Sequence, residues 1–218
     1  MTPYVVRACL FDMDSTLLDS HKVFDRVWGP WAERNGVNYA RAAAAMHGGR
    51  AVDIIRKFAP GCLDPEREAR AIEQLEIGDL ADVVPTTGAR RLLEDLPAAR
   101  WTIVTSAVRK LALARLDAAG LPVPATLVAA EDISEGKPSP AGYLLAAKRL
   151  GWEPQDCLVF EDAAAGIEAA VSAAARLIVA SPKHGKSREP LTSNSHPTIG
   201  SFDELDVTVT DDGLVVRW

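Results

Sequence analysis

Two aspartates one residue apart, Asp12 and Asp14, follow the apolar run Ala8-Cys9-Leu10-Phe11. A short apolar run bounded by turn residues reads as a buried strand. Open α/β sheets bind ligands outside the carboxyl ends of their strands, so these carboxylates sit where chemistry is expected. Three further stretches end in polar groups. Thr105-Ser106 follows Trp101-Thr102-Ile103-Val104, Gly136-Lys137-Pro138 lies in the loop after a short apolar stretch at 126–129, and Glu161-Asp162 follows Cys157-Leu158-Val159-Phe160. Taken singly, each has an ordinary explanation. Asp12 to Ser15 suits an Asp-rich turn, Ser106 an N-cap, Lys137 a solvated loop charge, and Glu161-Asp162 the dipole of a following helix. On one edge of a parallel sheet they instead assemble four carboxylates, a hydroxyl and an ammonium. Clustered carboxylates repel one another without a cation, and an oxygen-only ligand set suits Mg²⁺, which commonly binds substrate phosphate.

The elements that would position these groups alternate. Residues 5–11 read as one strand. Ser20 is placed to cap a helix running towards Gly36, with Phe24, Val27, Trp28 and Trp31 on one face and Gly29-Pro30 expected to kink or divide it. Further helices are expected over 39–46, 50–58 and about 64–80, with His47-Gly48-Gly49 breaking the first from the second. Residues 18–82 thus read as an all-helical insert. Beyond Pro85, helices at 88–96, 108–119, 139–150 and 163–174 alternate with strands at 101–105, 126–129, 157–160 and 176–180. Ser106 is placed to cap the second of these helices, and Gly166 weakens the last. Alternation of this kind predicts an α/β fold with a parallel sheet and right-handed crossovers. Residues 181–197 read as a polar loop. Val207-Thr208-Val209 and Leu214-Val215-Val216 form a hairpin through Asp211-Asp212-Gly213.

Composition narrows the partners. The chain has 218 residues, is 48% hydrophobic and 25% charged, and carries a net charge of −6. That fits a soluble globular protein with no general attraction for nucleic acid or an anionic membrane. No apolar stretch has membrane-spanning length and no secretory signal pattern is present, so a cytoplasmic location is expected. Cys9, Cys62 and Cys157 are expected to be reduced thiols, and His21, His47, His184 and His196 lack zinc-ligand spacing.

In order, Asp12-Met13-Asp14-Ser15-Thr16, Thr105-Ser106, Lys137 and Glu161-Asp162 resemble the four motifs of the haloacid dehalogenase-like (HAD) phosphohydrolases. Within that superfamily the chain is most similar to sugar and polyol phosphatases. His47-Gly48-Gly49-Arg50, Gly136-Lys137-Pro138-Ser139-Pro140, the stretch from Val159 to Ile167 and the terminal hairpin carry that similarity. The resemblance implies a Rossmann-like core over 1–17 and 83–218, with a small all-helical cap domain over 18–82. It implies Asp12 as nucleophile, Asp14 as acid and base, and Mg²⁺ held by Asp12, the Asp14 backbone carbonyl and Asp162, with Glu161 as a further or water-bridged ligand. Thr105, Ser106, the Ala107 N–H and Lys137 would bind the phosphoryl group. The substrate would be a small phosphorylated metabolite, and the protein a monomer or weak homodimer.

Cap residues should set specificity. His47 and Arg50 are the candidates, with Lys22 and Lys57 weaker. Ser15 stands where the family usually has glycine, and Ala164 and Ala175 replace a usual proline and a frequent glycine. One rival is a phosphomutase similar to β-phosphoglucomutase. Its cap histidine, twelve residues beyond the nucleophile, corresponds to Phe24 here, which favours hydrolysis. Another rival is an inactive metal- or phosphate-binding regulatory protein, against which the intact Asp12, Asp14, Lys137 and Asp162 argue.

Overall fold

A computed structural model describes residues 3–181 and 195–218. In chain order, β1 (Tyr4–Val6), β2 (Ala8–Phe11) and β3 (Leu18–Asp19) precede α1 (His21–Arg34), α2 (Tyr39–Met46), α3 (Ala51–Phe58) and α4 (Pro65–Ile77). Then come β4 (Val84–Pro85), α5 (Ala89–Asp95), β5 (Trp101–Val104), α6 (Arg109–Ala118), β6 (Leu127–Val128), α7 (Ala141–Leu150), β7 (Cys157–Glu161), α8 (Ala164–Ser172) and β8 (Arg176–Ala180). The described chain closes with β9 (Thr198–Ile199), β10 (Asp206–Thr210) and β11 (Gly213–Arg217).

The central sheet has the order β6-β5-β2-β7-β8-β9, and every pair in it is parallel. All of β2, β5 and β7 is buried, as continuous apolar strands covered on both faces must be. Side chains alternate between two cores. Cys9, Phe11, Ile103, Leu158 and Phe160 pack with α1, α5 and α6, whereas Leu10, Val104 and Val159 pack with Tyr143 and the alanines of α7 and α8. The strand order reverses at β2, which puts its carboxyl end at the crevice where such sheets take ligands.

The alternation expected from sequence is present, with local differences. The first strand is two strands. It breaks at Arg7, and β1 leaves the central sheet to pair with β11 in a separate antiparallel sheet with β10. α1 runs through Gly29-Pro30 undivided. Pro30 lies on the solvent side, where helix carbonyls tilt outward, while Val27, Trp28 and Trp31 hold the opposite face in the core. Ser20 and Ser106 are not helix caps. Ser20 stands at the N-cap position of α1 without a capping bond, and Val108 occupies that position for α6. Two short pairings escaped the pattern: β3 with β4, and β9 at the sheet edge. Most of the polar loop expected over 181–197 lies outside the described residues. Among the described helices none is long and apolar enough to cross a membrane.

Candidate active site

Backbone pairing carries the strand ends into the site. The Asp12 N–H donates to the Phe160 carbonyl at 3.0 Å and the Thr105 N–H to that of Val128 at 2.9 Å, so the ladder continues one residue past β2 and β5. Asp12 and Asp162 are thereby fixed on neighbouring strand ends. Lys137 reaches Asp12 from the loop after β6. Its Nζ donates to Asp12 Oδ1 and to Glu161 Oε1, both at 2.5 Å. Glu161 is fully buried and fully engaged: Oε1 also accepts from the Tyr143 hydroxyl at 3.1 Å, and Oε2 from the backbone N–H groups of Asp162 and Ala163 at 2.7 and 2.9 Å. Burial pushes the Asp12 carboxyl well above its ordinary range, with Glu161 and Asp162 adding to the rise and Lys137 opposing it. Burial alone would lower the Lys137 ammonium, but the carboxylates of Asp12 and Glu161 outweigh it and hold the group charged.

Oxygens of Asp12, Glu161 and Asp162 lie within 4.8 Å of one another. This buried, all-carboxylate donor set fits a hard divalent cation such as Mg²⁺. Within it the roles differ. Asp12 and Asp162 line the cavity, while Glu161 is consumed by Lys137, Tyr143 and two backbone donors. Glu161 therefore buttresses Lys137 while its carboxylate stays within the three-carboxylate donor set. Thr16 Oγ1 steadies Asp162 Oδ1 at 3.1 Å.

Asp14 faces the same cavity two residues on. Its Oδ1 accepts from Ser20 Oγ at 2.7 Å and from Arg115 Nη1 at 2.9 Å. Thr105, Ser106 and Ala107 also line the cavity. Ser106 Oγ donates to the Gly48 carbonyl at 2.7 Å, and the Ala107 N–H to Thr105 Oγ1 at 3.1 Å. From the helical insert come Phe24, Trp28, His47 and Gly48. The His47 ring stacks on Phe24 at 4.2 Å between centroids and lies 4.7 Å from that of His21.

Of the expected site residues, Asp12, Asp14, Asp162, Thr105, Ser106, Ala107 and His47 meet around one cavity, with Lys137 and Glu161 buried behind Asp12. Arg50 does not line it. Its guanidinium donates to Asp53 Oδ2 at 2.6 Å and to the Ile133 carbonyl at 3.1 Å, fastening the start of α3 to the loop that carries Lys137. Lys22 pairs with Asp82, and Lys57 lies over the Phe58 ring. Sequence reasoning missed Arg115, Glu76 and Tyr143. A signal existed for the first two: Arg115 shares a face with Leu111 and Ala112, and Glu76 with Ala69 and Ile72, so each is a charge on the core side of its helix.

Residues 6–174 match the haloacid dehalogenase-like hydrolase family. Hexitol phosphatase A of Escherichia coli (strain K12) is 35% identical over 95% of this chain and 96% of its own. Validoxylamine A 7'-phosphate phosphatase of Streptomyces hygroscopicus subsp. limoneus is 35% identical over 75% of this chain and 80% of its own. The crystal structure of β-phosphoglucomutase from Clostridium difficile superposes with a TM-score of 0.77 over 92% of this chain and 93% of that one; at 18% identity it speaks for the fold alone. With the family matched across both the insert and the four strand ends, the chain belongs to the haloacid dehalogenase-like hydrolases.

Proposed function

We propose that the protein is a Mg²⁺-dependent phosphatase that hydrolyses small phosphorylated sugars or polyols, with residues 18–82 acting as the cap over a core of 1–17 and 83–218. One observation carries the reading: a buried aspartate held by Lys137 shares its cavity with a second aspartate two residues on. Asp12 attacks phosphorus; its bond to phosphorus forms as the ester P–O bond breaks, splitting one displacement into two. Asp14 gives its proton to the departing alkoxide oxygen. It then takes a proton from the water that attacks the aspartyl-phosphate, releasing phosphate and regenerating Asp12. Lys137 orients Asp12 and balances phosphoryl charge, and Ser106 and the Ala107 N–H are near enough to the cavity to turn towards phosphoryl oxygens. Asp12, Asp162 and the Asp14 backbone carbonyl would hold Mg²⁺, which supplies positive charge against the repulsion between nucleophile and phosphate.

The relatives support the substrate class, since hexitol phosphatase A matches nearly end to end. Phe24 lines the cavity at the position where the mutase resemblance places a histidine, and a phenyl ring offers no donor or acceptor there, which favours hydrolysis. The test is phosphate release from a panel of sugar, hexitol, glycerol and nucleoside phosphates, ranked by kcat/KM with Mg²⁺ and with EDTA. Hexitol and sugar phosphates should rank above nucleotides, EDTA should stop turnover, and Asp12→Asn should abolish it. Nucleotides ranking first would overturn the substrate class, and an active Asp12→Asn would overturn the mechanism.

A further inference from the structure

Arg115 is 4% exposed, although it carries a charge that burial penalises. Its fork spans two carboxylates. Nη1 donates to Asp14 Oδ1 at 2.9 Å and Nη2 to Glu76 Oε1 at 3.0 Å. Glu76 is equally buried and belongs to α4, whereas Arg115 belongs to α6. The two carboxylates outweigh the burial cost and keep the guanidinium charged. Burial raises the Glu76 carboxyl, and Arg115 opposes that rise. Trp28 faces the same carboxylate without reaching standard hydrogen-bond geometry.

The consequence lies at Asp14. Both of its donors, Arg115 and Ser20, fall on Oδ1; Oδ2 has no partner among the described residues. An oxygen that accepts from a guanidinium and a hydroxyl is a poor place for a proton, so the proton is left to Oδ2. We propose that Arg115, braced by Glu76, is a positioning residue that fixes Asp14 through Oδ1 and so assigns Oδ2 as the oxygen that exchanges protons with the leaving group and the attacking water. This rests on Asp14 as the acid and base. In the first step the Oδ2–H bond breaks, the proton goes to the alkoxide oxygen, and the electron pair stays on a carboxylate already facing a cation. In the second step a water proton returns to Oδ2. Because Glu76 belongs to α4 and Arg115 to α6, seating α4 on α6 and aiming the acid are one event.

The experiment compares kcat/KM for sorbitol 6-phosphate, whose alkoxide needs a proton to leave, with that for p-nitrophenyl phosphate, whose phenolate does not. The Mg²⁺-loaded full chain is used as wild type, Asp14→Asn, Arg115→Met, Arg115→Lys and Glu76→Gln. General-acid assistance is worth roughly 10²–10⁴-fold, so Asp14→Asn should cut the alkyl-to-aryl ratio by at least about 10²-fold. Arg115→Met should cut it by about tenfold or more, with Arg115→Lys and Glu76→Gln in between. A buried role in holding helices together would lower both substrates alike; an unchanged ratio in Arg115→Lys and Glu76→Gln overturns the proposal, including where Arg115→Met fails to fold. An unchanged ratio in Asp14→Asn would instead overturn Asp14 as the acid, and a wild type inert on both substrates would overturn the phosphatase reading itself.

Discussion

Ser15 stands at φ 69°, in the left-handed region that costs a side-chain-bearing residue about 1 kcal/mol or more. The strained residue opens the turn directly after Asp14, and the buried Ser15 hydroxyl lies 3.3 Å from His21 Nδ1. This explains why glycine is the usual residue there and how a serine is accommodated. Ser15→Gly should melt higher than Ser15→Ala, by an amount matching about 1 kcal/mol, because alanine keeps the strain and loses the hydroxyl; equal melting temperatures would deny the strain. Asp12, Asp14, Lys137 and Asp162 were legible in the sequence because each follows a strand end, and strand ends follow from apolar runs. Arg115 and Glu76 show in the sequence only as charges on the core side of their helices; that they join each other and Asp14 depends on packing between distant segments. Arg50 was legible as a conspicuous cation beside glycines, but its partners, Asp53 and the Ile133 carbonyl, draw it away from the cavity.

At the scale of elements, α8 shows how packing turns a weak helix former into a requirement. Gly166 costs helix propensity, which is all that its sequence context displays. In the fold, a Cβ at this position would collide with the Glu161 carboxylate. The helix is bare there so that the carboxylate bracing Lys137 has room. Gly166→Ala should gain helix propensity yet lose activity and destabilise the fold by about 1–3 kcal/mol, as an overpacked core does. Urea unfolding and kcat together check it, and full activity in the variant would mean Glu161 can move without consequence. The order of strands and helices was legible because periodicity reports burial. The break at Arg7 and the continuity of α1 through Pro30 were not, since both depend on which neighbouring strand or face the chain meets.

The molecule carries a net charge of −6, and its buried carboxylates Asp12, Glu161 and Asp162 converge near the ammonium of Lys137. A divalent cation at that point relieves repulsion in the folded state and finds no such site in the unfolded one. Mg²⁺ should therefore raise the melting temperature, with a stabilisation of about 2.7 kcal/mol at a hundredfold excess over its dissociation constant, and Asp162→Asn should lose the response. An Asp162→Asn protein that responds like wild type would remove Asp162 from the metal site. The sheet of β1, β10 and β11 has a further consequence during synthesis. β1 finds its partner only when Val6 meets Leu214, across most of the length of the chain, although β2 and Asp12 follow it almost at once. A growing polypeptide on the ribosome can pair β2 with β5 and β7 well before that. β1 stays without its partner until β11 has emerged, so the strand ends around Asp12 assemble early and the strand just ahead of β2 is secured late.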